Sequence, residues 1–153
     1  MKKLLIFGFI LFSILVFGGE WTVGVYICED NDLEGFASAG LLYSGSAGTW
    51  YGDINEMEMV GSDSDLSIVV ELDKRTNSYT GWSNTRRLYI QQDGDPTSIT
   101  SPIVENLGEL NMGDPENLVN FINYIIETST YSSNHYGLII WNHGSGWQRS
   151  SSS

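Results

Sequence analysis

The sequence predicts an α/β domain built on a mainly parallel sheet flanked by helices. Three observations predict it. Three apolar runs rich in β-branched and aromatic residues, Trp21–Cys28, Leu66–Leu72 and Tyr136–Trp141, have the length and composition of strands. A segment with helical spacing lies between the first two, and an amphipathic helix precedes the third. Strand, helix and strand in that order make a βαβ unit, and its repetition implies parallel pairing.

The elements follow in chain order. Trp21–Cys28 ends in the polar stretch Glu29-Asp30-Asn31-Asp32. Residues 37–50 are rich in Gly, Ser and Ala and read as a loop. Asp53–Val60 carries apolar side chains at Ile54, Met57 and Val60, a helical interval. Leu66–Leu72 is apolar on both faces at its centre, as in a strand covered by helices on both sides, and Asp73-Lys74 ends it. Arg86–Gln91 reads as a short strand of an antiparallel hairpin at the sheet edge, bracketed by Gly81-Trp82 and Asp93-Gly94-Asp95-Pro96. The clearest helix begins at Asp114. Its carboxylate suits an N-cap, and Pro115 suits the first helical position because it has no amide hydrogen to leave unpaired. Leu118, Phe121, Ile122, Ile125 and Ile126 then share one face, and the pattern fades at Thr128–Thr130. Tyr136–Trp141 is left as an apolar edge strand, so the chain reads as the N-terminal half of a larger sheet.

Composition bounds the setting. The chain has 153 residues, a formal net charge of −12 and one cysteine, Cys28. No disulfide forms within such a chain, so its fold rests on its core. An acidic surface without a Lys/Arg cluster repels nucleic acid and anionic lipid and favours basic ligands; solubility alone also accounts for it. Met1-Lys2-Lys3, the apolar run Leu4–Phe17 and the small residues Gly18-Gly19 have the layout of a secretory signal peptide over residues 1–18. The run is short for a membrane span, which needs about 20 apolar residues, although an uncleaved anchor is the other reading. The expectation is export, to the medium or the cell surface, with no membrane attachment after cleavage. Residues 149–153, mostly serine, are expected to be a disordered tail.

In open α/β sheets ligands bind at the carboxyl ends of the strands. His143 follows the third parallel strand and opens a Gly-Ser-Gly stretch, Gly144-Ser145-Gly146. An imidazole there is placed for proton transfer, and the Gly144 amide for donation to a developing oxyanion. A turn histidine in a Gly/Ser loop is the alternative. His135 lies at the opposite end of the same strand and reads as a surface residue. Cys28 reads as a core thiol, with Glu29 and Asp30 beside it opposing a thiolate. Asp30-Asn31-Asp32-Leu33-Glu34-Gly35 opens like a calcium loop, but Leu41 stands where a bidentate Glu is required. Asp30 and Asp32 are therefore weak calcium candidates, and a solvated strand end is the alternative. The sequence contains no HExxH, CxxC, phosphate loop or GxSxG, and two histidines cannot build a multi-histidine zinc site.

Four segments in order resemble the clostripain family of cysteine peptidases: Asp30–Glu34, Asp53–Glu58, Leu107–Pro115 and Trp141–Trp147, the last containing His143-Gly144. The resemblance covers nearly all of residues 21–147. It implies a caspase-like fold over residues 20–148, a His-Cys pair in which His143 matches the catalytic histidine and Gly144 its following glycine, and cleavage after a basic residue, Arg above Lys. Residues 37–50 stand as an insertion relative to that pattern. The resemblance also implies calcium as a possible cofactor, since some members use it. In the related caspases the nucleophile lies about 50 residues beyond the histidine. It is therefore expected beyond Ser153, with the acidic pocket residues near it, and this chain alone is expected not to cleave peptides. Four readings stay open: a fragment of a secreted endopeptidase, one chain of a two-chain enzyme completed by its own C-terminal half, a remnant that is non-catalytic or only binds, and a calcium-dependent adhesion module.

Overall fold

A computed structural model describes residues 19–39, 41–46, 48–75 and 82–144. The signal peptide expected over residues 1–18 and the tail expected over 149–153 lie outside the described residues. No described helix is long and apolar enough to cross a membrane. The elements are β1 (Gly19–Cys28), β2 (Leu41–Gly45), β3 (Gly48–Tyr51), α1 (Asp53–Val60), β4 (Leu66–Lys74), β5 (Asn84–Tyr89), β6 (Ile103–Gly108), α2 (Pro115–Glu127), a 3-10 turn (Ser129–Tyr131) and β7 (Ser133–Trp141).

Five strands form one sheet in the order β6-β5-β4-β1-β7. β4 and β7 pair with β1 in parallel, with Val25 opposite Val70 on one side and Ile139 on the other. β5 and β6 add an antiparallel flank. The mainly parallel α/β architecture expected from the sequence is present, and the antiparallel hairpin stands at the sheet edge as expected.

Alternation along β1 assigns the two faces. Val25 and Ile27 join Ile54, Ile68, Val70, Leu72, Leu88 and Ile90 in the core under α1. Tyr26 joins Val69, Phe121, Ile125 and Tyr131 in the core under α2. Gly24 shares the α2 face, and a Cβ there would stand 2.8 Å from Ile125 Cδ1 and 3.0 Å from Phe121 Cε1. The missing side chain is what lets α2 sit close to the sheet. Asp114 caps α2, accepting from the Glu116 amide at 3.0 Å, with Pro115 in the first turn.

Local expectations change at three points. Residues 37–50 do not form a plain loop: β2 and β3 pair as a small antiparallel hairpin outside the main sheet. The partner strand of the expected hairpin, β6, could not be bounded from the sequence, because an edge strand exposed through Asn106 carries no burial pattern. α1 buries Ile54 and partly buries Met57 as its apolar interval implies, but not Val60. Val60 is 65 % exposed, whereas Asn55 and Glu58 are buried. Asn55 Nδ2 donates to the carbonyls of Asp95 and Ser98, and Glu58 Oε1 accepts from the amides of Thr100 and Ser101 at 3.0 and 2.7 Å. These polar groups tie α1 to the loop that joins β5 to β6. Across β4, β5 and β6, Arg87 bridges Glu71 and Glu105, at 2.6 Å each, and lies over the Tyr124 ring.

β7 forms one edge of the sheet. Leu138, Ile139 and Ile140 on it are 41, 51 and 60 % exposed, so neither of its faces is covered as β1 and β4 are.

Candidate functional site

Because β1, β4 and β7 are parallel, their carboxyl ends lie along one edge of the sheet, the position at which α/β folds bind ligands. A cleft of about 390 Å³ opens there, lined among others by Cys28, Asp30, Asn31, Asp73, Glu109 and Asn142. The next residue along from Asn142 is His143.

Two loops meet at this edge. The Asn31 side chain organises the one after β1: its Oδ1 accepts from the Leu33 amide at 2.8 Å, and its Nδ2 donates to the Cys28 carbonyl at 2.9 Å. Buried Glu29 anchors the far end of the loop, accepting from the amides of Ala37 and Ser38 at 2.7 and 3.1 Å. In the loop after β7, Asn142 Oδ1 accepts both from the His143 amide at 2.7 Å and from Asn31 Nδ2 at 3.1 Å. The two loops are thus stitched by side-chain amides. His143 Nε2 lies 2.7 Å from Asp32 Oδ1. That hydrogen bond, more than the charge of the imidazole, holds the Asp32 carboxyl below its usual range.

The candidates from the sequence divide as follows. His143 lies at the strand ends as expected, exposed to solvent. Gly144 follows it, exposed, and a side chain added there would meet open space. Ser145 to Trp147 lie outside the described residues. His135 is at the opposite end of β7, stacked on Trp21 and near Glu20. Asp30 and Asp32, the calcium candidates, face different partners. Asp32 meets His143. Asp30 converges with Asp73 and Glu109, with one carboxylate oxygen from each within 4.8 Å of the others. These three are the described residues whose donor set could hold a hard cation, which takes oxygen ligands. The same charge also suits an ammonium or guanidinium.

Asp73 and Glu109 were missed by sequence reasoning. Asp73 read as a strand terminator, yet it is buried and accepts from Thr85 Oγ1 at 2.8 Å. Burial raises its carboxyl above the ordinary range. Cys28 packs partly against the core under α2 and also lines the cleft. Burial raises its thiol, followed by the charges of Asp73 and Glu71. The direction is the expected one but the source is not, since the Glu29 carboxylate is turned to the amides of Ala37 and Ser38.

Comparison with known proteins gives three findings. The profile described as the clostripain family matches residues 25–153. A solved structure titled B. fragilis cysteine protease superposes with a TM-score of 0.58 and 26% identity, covering 88% of this chain and 98% of that one. A clostripain from Bacteroides thetaiotaomicron, solved in complex with the peptide inhibitor BTN-VLTK-AOMK, superposes with a TM-score of 0.57 and 18% identity, covering 88% of this chain and 99% of that one. No curated protein matches.

Proposed function

The chain belongs to the clostripain family of cysteine peptidases, and from that premise we propose that it supplies the histidine half of an exported endopeptidase that cleaves after Arg or Lys. In this reading residues 1–18 are the export signal and 20–148 the N-terminal part of the peptidase domain. The nucleophilic cysteine comes from outside residues 1–153. Its thiolate attacks the peptide carbonyl, the C–N bond breaks, and the His143 imidazolium gives its proton to the departing amine. Water then hydrolyses the thioester, with the neutral imidazole accepting the water's proton. The Gly144 amide donates to the oxyanion formed in each half.

The observation that carries this reading is the position of His143, just past a parallel strand at the edge where the acidic cleft opens. The carboxylates of Asp30, Asp73 and Glu109 favour a basic side chain in that cleft. A two-chain arrangement has support of its own. Among the described residues β7 has a strand neighbour on one side only and exposes Leu138, Ile139 and Ile140, a surface on which a further strand would continue the sheet.

The test is turnover of Arg- and Lys-containing peptides by the chain alone and by the chain combined with a cysteine-bearing C-terminal half. The expected result is cleavage by the combination only, lowered about 10²- to 10⁴-fold by His143→Ala. Turnover by the 153-residue chain alone, abolished by His143→Ala, would contradict it.

A further inference from the structure

We propose that Asp32 is the positioning residue of His143, fixing which ring nitrogen carries the mobile proton. The proposal rests on the reading of His143 as the proton carrier. An ionised carboxylate only accepts, so the 2.7 Å contact places a hydrogen on Nε2 and leaves the Nδ1 lone pair to exchange protons with the reacting groups. Without a partner an exposed imidazole rotates and samples both tautomers, and each wrong arrangement is unproductive.

The support comes from how firmly both loops are held. His143 and Asp32 are 111 residues apart in the chain and meet only because β7 lies beside β1. The Asp32 loop is pinned by the Asn31 turn, by buried Glu29, and by the Arg75–Glu34 pair at 2.7 Å. The His143 loop is pinned to it through Asn142 and Asn31. A contact between two loops already tied to each other costs little ordering entropy, which is the condition for a preorganised site. Asp30 is no substitute, because its carboxylate converges with Asp73 and Glu109 instead. The side chains of His143 and Asp32 are 58 and 82 % exposed, so water screens the pair in the bare chain. A peptide lying over the site would exclude that water and strengthen the attraction when the imidazolium forms.

Two measurements test this. On the 153-residue chain, carbon-13 NMR follows the Asp32 carboxyl with pH, and His143→Ala is expected to move its titration midpoint upward. In the chain combined with its cysteine-bearing half, Asp32→Ala is expected to lower kcat about 100-fold with KM unchanged. Asp32→Asn keeps an acceptor oxygen without the charge and is expected to recover part of the loss. An unmoved Asp32 midpoint, or wild-type kcat in Asp32→Ala beside an inactive His143→Ala, would overturn the positioning role alone. Full activity in His143→Ala would overturn the reading of His143 and the positioning role with it.

Discussion

Cys28 is the chain's one thiol, and its surroundings oppose nucleophilic chemistry. Burial and the neighbouring carboxylates of Asp73 and Glu71 all favour the protonated form, and the thiolate is the reactive form. Iodoacetamide at pH 8 is therefore expected to label Cys28 more slowly in the folded chain than in urea-unfolded chain, as followed by intact-mass spectrometry. Labelling at equal rates would show a thiol free of these effects. At this scale the sequence is legible where neighbours along the chain do the work. His143 and Gly144 stand out because an apolar strand runs directly into a histidine and a Gly-Ser-Gly stretch. Asp32, Asp73 and Glu109 did not stand out as partners. Asp32 meets a group 111 residues away, and Asp73 joins Asp30 through the pairing of β4 with β1. Such meetings are fixed by sheet order, which no local pattern encodes.

Among the elements, α2 was legible to its cap because Asp114, Pro115 and the apolar stripe all state the same boundary and face. Its packing can be tested from both sides. Phe121→Ala removes a fully buried ring and is expected to cost about 3–5 kcal/mol in urea unfolding. Gly24→Ala adds a methyl where Ile125 and Phe121 leave no room and is expected to cost about 1–3 kcal/mol. Glu58→Ala tests the polar side of α1. It strips the acceptor from the amides of Thr100 and Ser101, and a loss of about 2 kcal/mol or more is expected. α1 was legible in extent and in the packing of Ile54 and Met57 into the core, but its buried polar residues were not, because hydrophobic periodicity assumes that the buried face is apolar. Here Asn55 and Glu58 go inward and find backbone partners. The β2–β3 hairpin was illegible for a different reason. Its Gly, Ser and Ala content shows no alternation, and its described strand residues from Ser44 on are largely exposed.

The molecule as a whole has a covered side and an uncovered one. β7 lines the uncovered side, with Leu138, Ile139 and Ile140 exposed, and its apolar run was legible as a strand. The isolated chain is expected to self-associate in light scattering as its concentration rises. Ile140→Lys, at a residue 60 % exposed on that edge, is expected to suppress this without lowering Tm. The core imposes a limit in alkali. Burial is the main cause that raises the phenols of Tyr26 and Tyr131 far above the ordinary tyrosine value. Up to about pH 10 both folded and unfolded chains keep these protons. Above it the unfolded chain releases them and the folded one does not, so stability falls as pH rises. Tyrosine absorbance is expected to show two phenols that ionise only as the near-ultraviolet dichroism is lost. The placing of β1 between β4 and β7 also has a consequence in time. β1 leaves the ribosome before either strand that flanks it, and β7 is made about a hundred residues later. At about 5–20 residues per second, the centre of the sheet waits for roughly five seconds or more with one flank bare. A newborn chain of this design spends that interval with the β7 side of β1 unpaired.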